Sequence, residues 1–170
     1  MKEQSKVTML EKVFLKIKAT DNLKDELLPL LRERVFHLTE RSSCASIMSD
    51  GAIKSNQHGD YPYTYHQSDN SFFRKKGCVS VFDLREVTLN EIDVALTKCD
   101  FLNPRFTENK PVFLFLSPLY WSQLLSWRLL HKEGAYDQMV IPHVEAGFPG
   151  EIPLSRVEEA MYVSIDCEQP

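Results

Sequence analysis

The sequence predicts a single α+β domain, and three observations carry that expectation. Its 170 residues suffice for one core at about 150 residues per domain. With 43% hydrophobic and 26% charged residues it has a globular composition, which excludes disordered, collagenous, fibrous and membrane-spanning classes. Strand and helix patterns then follow one another without the steady strand–helix–strand alternation of a doubly wound sheet.

Each element rests on a local signal. Val13, Leu15 and Ile17 alternate with Phe14, Lys16 and Lys18 at period two, as in a strand. Asp21 is placed to cap a helix to about Arg32, with Leu23, Leu27, Leu28, Leu30 and Leu31 inward and Pro29 against its regularity. Val35 to Thr39 reads as a short strand. Ser42 or Ser43 caps the next helix, and Gly51 stands where a left-handed stop belongs. From Lys54 to Gly77 no apolar period persists, turn-forming residues are dense, and Tyr61, Tyr63 and Tyr65 alternate. Such a long aromatic loop suggests a functional segment. Cys78 to Asp83 reads as a strand, and Thr88 or Asn90 opens a helix to about Cys99. Pro111 to Ser117 is apolar enough for a central strand buried on both faces. Ser117 followed by Pro118 predicts a long helix with Trp121, Leu124, Leu125, Arg128 and Leu129 at helical spacing and Gly134 as its stop. Met139 to Glu145 and Met161 to Ile165 supply the last strands.

Charge and motifs narrow the chemistry. Twenty basic against 24 acidic side chains give a net charge of −4, which removes the broad positive field of a non-specific nucleic-acid binder but leaves room for a local basic patch. The opening residues lack the apolar core of a secretory signal and the longest apolar run, Val112 to Leu116, is too short for a bilayer, so a cytoplasmic protein without membrane attachment is expected. Cys44, Cys78, Cys99 and Cys167 form no C-x-x-C pair, and His58, His66 and Cys78 match no common zinc spacing, so no metal is expected. G-x-G-x-x-G, G-x-x-x-x-G-K-[ST], H-E-x-x-H and G-x-S-x-G are all missing.

Three polar features remain. His37 and Thr39 share one face of a strand and suit ribose hydroxyls, although a histidine satisfied within a core is the commoner case. Arg74, at the end of the long loop, offers the bidentate fork that matches phosphate oxygens, while Lys75 and Lys76 read as a solvated charge run. Glu145 ends a strand with His143 on the same face, ahead of a turn rich in glycine and proline. It is expected at a sheet edge, where a carboxylate can stabilise developing positive charge.

Taken together, residues 34–166 resemble the ADP-ribosyltransferase family, in particular its compact prokaryotic branch of DarT-like DNA-modifying toxins near the RNA 2′-phosphotransferases. Phe36-His37-Leu38-Thr39, the helix through Ser46-Ile47-Met48 and then Asp50-Gly51-Ala52-Ile53 are similar to that family's opening H-x-T and I-x-x-x-G-[LI] block. Glu145 ahead of Pro149-Gly150-Glu151-Ile152-Pro153-Leu154 is similar to its late catalytic segment. The resemblance implies a split β-sheet core with flanking helices, residues 1–33 being an N-terminal extension. It implies NAD as substrate, Glu145 and Arg74 as catalytic residues, and His37, Leu38, Thr39, Gly51, Arg74 and Tyr65 in the NAD site. Tyr61, Tyr63, Tyr65, Phe72 and Phe73 are alternatives for stacking on nicotinamide. His143 stands where the arginine-specific branch carries glutamate or glutamine, which argues against arginine as acceptor. The implied activity is transfer of ADP-ribose to a macromolecule, single-stranded nucleic acid or protein, with an antitoxin as partner. An NAD glycohydrolase and an inactive NAD- or partner-binding module are the alternatives. Phosphate transfer from RNA would need more basic residues than this chain has.

Overall fold

The computed structural model describes residues 10–61, 71–103, 107–131 and 140–166. In chain order these form β1 (Glu11–Lys18), α1 (Leu23–Leu31), β2 (Val35–Glu40), α2 (Arg41–Asp50), β3 (Ala52–Ile53), α3 (Phe72–Lys75), β4 (Cys78–Asp83) and α4 (Leu89–Lys98). There follow β5 (Pro111–Leu116), β6 (Leu125–Ser126), α5 (Trp127–Leu130), β7 (Glu145–Pro149), β8 (Ile152–Pro153) and β9 (Val157–Asp166). Seven strands make one sheet in the order β1-β9-β5-β2-β4-β7-β6, and β3 pairs with β8 in a second. Within the large sheet β1 runs parallel to β9, and the other ladders are antiparallel. The expectation of mixed α and β structure without doubly wound topology therefore holds. Among the described residues no helix is long and apolar enough to cross a membrane.

Side-chain alternation builds a core on each face. Phe36, Leu38, Phe82, Phe113, Phe115 and Met161 meet Leu27, Leu28 and Leu31 of α1 and Ile92 and Ala95 of α4. Phe36 anchors this layer, stacked on Phe82 at 5.3 Å and edge-on to Phe113 at 5.4 Å, geometries that add to plain burial. On the other face Val35, Val81, Val112, Leu114, Ala146 and Phe148 pack with Cys44 of α2. β5 belongs to both layers and is buried throughout, as its unbroken apolar run predicts. Residues read as an N-terminal extension join this structure: β1 pairs with β9 over its whole length, and α1 closes the core.

Local chemistry explains most boundaries. The Asn22 side chain, one residue after the expected Asp21, accepts from the Lys24 N–H and caps α1. Pro29 lies inside α1, but so near its end that the helix stops two residues later. Neither Ser42 nor Ser43 caps α2. Glu40 is the N-cap residue, and both serine hydroxyls donate to its carboxylate. Thr88 and Glu91 form a reciprocal capping box at the start of α4.

Two expectations are corrected. The long helix from Ser117 is instead a 3-10 segment over Pro118–Gln123, then β6 and the single turn α5. Pairing of Leu125 and Ser126 with β7 outcompetes helical propensity, and the Ser126 hydroxyl restarts the helix by accepting from the Leu129 N–H. The strand expected to end at Glu145 in fact begins there, and His143, with φ of 70°, sits in the preceding turn. Met139 lies outside the described residues.

Candidate functional site

The large sheet divides at one seam. Between β2 and β4 only Val35↔Asp83 and Phe36↔Phe82 pair, after which the ladder stops. At the next residue an imidazole takes over: His37 Nδ1 lies 2.9 Å from the Ser80 carbonyl oxygen. A carbonyl can only accept, so Nδ1 carries the proton and Nε2 is left as an acceptor. Burial holds the His37 pKa below its ordinary value, which keeps the ring neutral near pH 7.

Ser80 uses its other polar group on the next strand. Its hydroxyl donates to Glu145 Oε1 at 2.6 Å. Glu145 Oε2 accepts from the Ile141 N–H at 2.7 Å, and the Glu145 N–H donates back to the Ile141 carbonyl at 3.1 Å. The turn 141–145, with its left-handed His143, thus wraps the carboxyl group and fixes its direction. Each oxygen receives one hydrogen bond and retains lone-pair capacity for a ligand. Glu145 is only 5% exposed, correcting the expected sheet-edge position, and burial pushes its pKa up to about 7 against the opposing pull of the Ser80 and Ile141 bonds.

Glu145 lines a cavity of about 170 Å³ together with Asp83, Arg85, Trp127, Arg128 and His143. The Arg85 fork grips Asp83 through two bonds of 2.8 and 2.7 Å. Glu91 ties the wall together. Its Oε2 accepts from the Thr88 N–H, and its Oε1 lies 3.4 Å from both Arg128 and His143. Trp127 packs against His143 with centroids 4.8 Å apart. Its indole N–H is buried without an acceptor among the described residues.

The structure therefore joins His37 and Glu145 through one residue of β4. They reach it from opposite faces of the sheet: His37 is in register with Leu114 on the face of Val35 and Val81, whereas Glu145 is in register with Phe82 on the face of Phe36, so the imidazole meets only the Ser80 main chain and the carboxylate only its side chain. Leu38 and Thr39 are buried in the sheet at 6% and 3% exposure, so their side chains are not open to a ligand. Gly51 is the left-handed residue after α2 and has φ of 76°. Its neighbours Ala52 and Ile53 pair with Pro153 and Ile152, and its carbonyl accepts from the Leu154 N–H, so the opening and late sequence blocks meet in the small sheet. Arg74 is half-buried on α3, which docks on the Glu145 side of β7 because Phe73 fills the space left by Gly147. Phe72 and Phe73 are themselves buried with Cys78, Leu130 and Val140, and offer no open face for stacking. Tyr61 is 40% exposed, its N–H and carbonyl both held by the Asn56 side chain. Tyr63, Tyr65 and His66 lie outside the described residues.

Sequence reasoning missed Ser80, Trp127 and the Ile141 N–H. Ser80 carried the same signal as His37, a polar residue inside an apolar strand. Trp127 was hidden by the expected long helix, and a main-chain donor leaves no mark in sequence. Among the described residues no three His, Cys, Asp or Glu side chains gather as a metal site would require. Comparison of this chain with protein-family models, curated proteins and solved structures found no match.

Proposed function

We propose that this chain is an NAD-dependent ADP-ribosyltransferase and that Glu145 is its central catalytic residue. The observation that carries this reading is the junction at Ser80, where the β2–β4 ladder stops and one residue receives a neutral imidazole on its carbonyl and gives its hydroxyl to a buried carboxylate from a distant part of the sequence. Cleavage of the bond between the nicotinamide nitrogen and ribose C1′ sends the bonding pair to nicotinamide and leaves oxocarbenium character on the sugar. Glu145, ionised and hydrogen-bonded to the ribose 2′-hydroxyl, binds that charge more tightly than it binds the ground state. His37, with Nε2 free to accept, orients a ribose hydroxyl. An acceptor group then bonds to C1′ and releases its proton, which a carboxylate with pKa of about 7 is suited to take up.

The cavity beside Glu145 fits one ring or sugar, well short of the roughly 300–1,000 Å³ of sites for larger ligands. NAD in this reading places its nicotinamide end there, with Arg74 on α3 as the phosphate clamp, and reaches His37 on the other face of the sheet through the gap where the β2–β4 ladder stops. Trp127 on the cavity wall offers a ring for an acceptor base to stack on once nicotinamide has left, which favours single-stranded nucleic acid as acceptor, while Glu91 already matches the charge of Arg128. Arg85 adds little free charge to such a track because Asp83 matches it.

Nicotinamide release from NAD, followed by chromatography, tests the proposal. The native chain should release it with and without an oligonucleotide acceptor, and Glu145→Gln should release it about 100- to 1,000-fold more slowly. Equal rates refute the role of Glu145. Calorimetric NAD binding without release refutes turnover and leaves a binding module.

A further inference from the structure

The outer edge of the large sheet carries a surface that NAD chemistry does not use. Among the described residues β1 pairs only with β9, so one of its main-chain edges is open over Glu11–Lys18. Lysines commonly guard such an edge against unwanted pairing, and Lys12, Lys16 and Lys18 are so placed. Guarding does not account for Phe14. It is 71% exposed, with its ring stacked on Tyr162 of β9 at 5.1 Å and 17° between planes. One ring face rests on Tyr162, leaving the other for solvent.

The parallel register sets Lys12 beside Ala160, Phe14 beside Tyr162 and Lys16 beside Ser164, so the three side chains stand on one face at period two. Arg41 of α2 borders this face. Its guanidinium lies 5.5 Å from the Tyr162 centroid and donates to the Val163 carbonyl and the Ser164 hydroxyl, and its Nε is buried without an acceptor among the described residues. Lys18 has Asp166 opposite it, whereas Lys12, Lys16 and Arg41 enter no ion pair among the described residues. On a chain of net charge −4 this is a local reversal of sign around an exposed aromatic ring.

We propose that this edge binds an extended acidic segment of a partner protein, which adds as a new outer strand beside β1. The open amides and carbonyls of β1 supply the ladder, alternate carboxylates of the segment face Lys12 and Lys16, and an apolar side chain between them covers Phe14. Period-two spacing selects a strand over a helix. A nucleic-acid strand matches the cations and the ring but has nothing to pair with the main-chain edge.

A short peptide with glutamate, valine and glutamate at successive alternate positions and threonine between them is the probe, with its counterpart carrying lysine for glutamate and oligothymidylate as comparators. Binding is read by fluorescence anisotropy across a salt series and by amide hydrogen exchange along β1. The acidic peptide should bind, slow exchange at outward-facing β1 amides, and bind about tenfold more weakly to the Lys12→Glu/Lys16→Glu double variant. That variant should keep the native urea midpoint and NAD handling, since both residues lie on the exposed edge strand away from Glu145. Failure of the acidic peptide to bind, equal binding of the basic peptide, or binding of oligothymidylate alone overturns the proposal. So does peptide binding that leaves β1 exchange unchanged.

Discussion

Replacing Glu145 by glutamine isolates the charge at the centre of the site. In the native protein burial lifts the carboxyl pKa from 4.5 to about 7, so the folded state holds a proton where the unfolded chain has lost it. Stability then falls as pH rises from about 4.5, and the fall ends above about 7, once the folded carboxyl has ionised as well. At 1.36 kcal/mol per pKa unit the full effect is about 3 kcal/mol, of which about 2.5 kcal/mol develops between pH 5 and pH 8. Glutamine titrates nowhere in this range. Its amide matches the protonated carboxyl, accepting from the Ile141 N–H and donating its NH2 to the Ser80 hydroxyl oxygen, so any hydrogen-bond difference, at most about 1 kcal/mol, is independent of pH. Glu145→Gln should therefore lie within about 1 kcal/mol of the native chain at pH 5 and be more stable at pH 8. The difference should grow by about 2.5 kcal/mol, or about 5–10 °C in Tm for a chain of this length. Urea unfolding of both proteins at constant ionic strength, from pH 5 to pH 8, measures it. A difference independent of pH, or one that grows toward acid, refutes burial as the force acting on Glu145.

The same carboxyl sets the expected pH profile of catalysis: kcat/KM for NAD consumption should rise about tenfold per pH unit below about 7 and level off above it. Ser80→Ala removes the hydroxyl that favours the ionised form, so the midpoint should move up by about one pH unit while Ser80→Thr holds it near the native position; an unmoved midpoint in Ser80→Ala separates Ser80 from Glu145. Two glycines should respond to alanine for different reasons. At Gly147 the added Cβ strikes the Phe73 ring and comes within 3.0 Å of Cys78 Cβ, so a loss of about 1–3 kcal/mol is expected in urea unfolding. Phe73→Ala in the same chain should recover part of it. At Gly51 nothing lies within 4 Å of the added Cβ, and only the strain of φ +76° remains, about 1 kcal/mol.

Several elements were legible because the local signal and the tertiary demand agreed. The apolar run of β5, the alternation of β1 and the Thr88 cap each place an element within a residue or two of where it stands. His37 was legible as an oddity, a polar side chain in an apolar strand. What it does there was not, since its partner is a main-chain carbonyl 43 residues away. The region from Ser117 to Leu130 misled for the opposite reason. Helical spacing was real, but β7 offered Leu125 and Ser126 a strand partner, and pairing across the sheet overrode propensity within the segment.

Periodicity, composition and turn chemistry are properties of neighbours along the chain, and they settled the mixed class, much of the strand set and the polar residues to inspect. The depth of Glu145, the parting of β2 from β4 and the choice of Ser80 as the residue whose carbonyl holds the imidazole and whose hydroxyl holds the carboxylate came from folding alone. Burial, and with it a carboxyl group that titrates near neutrality, is imposed by atoms from β4 and the 141–145 turn packed around that group in space, and sequence order does not record such surroundings.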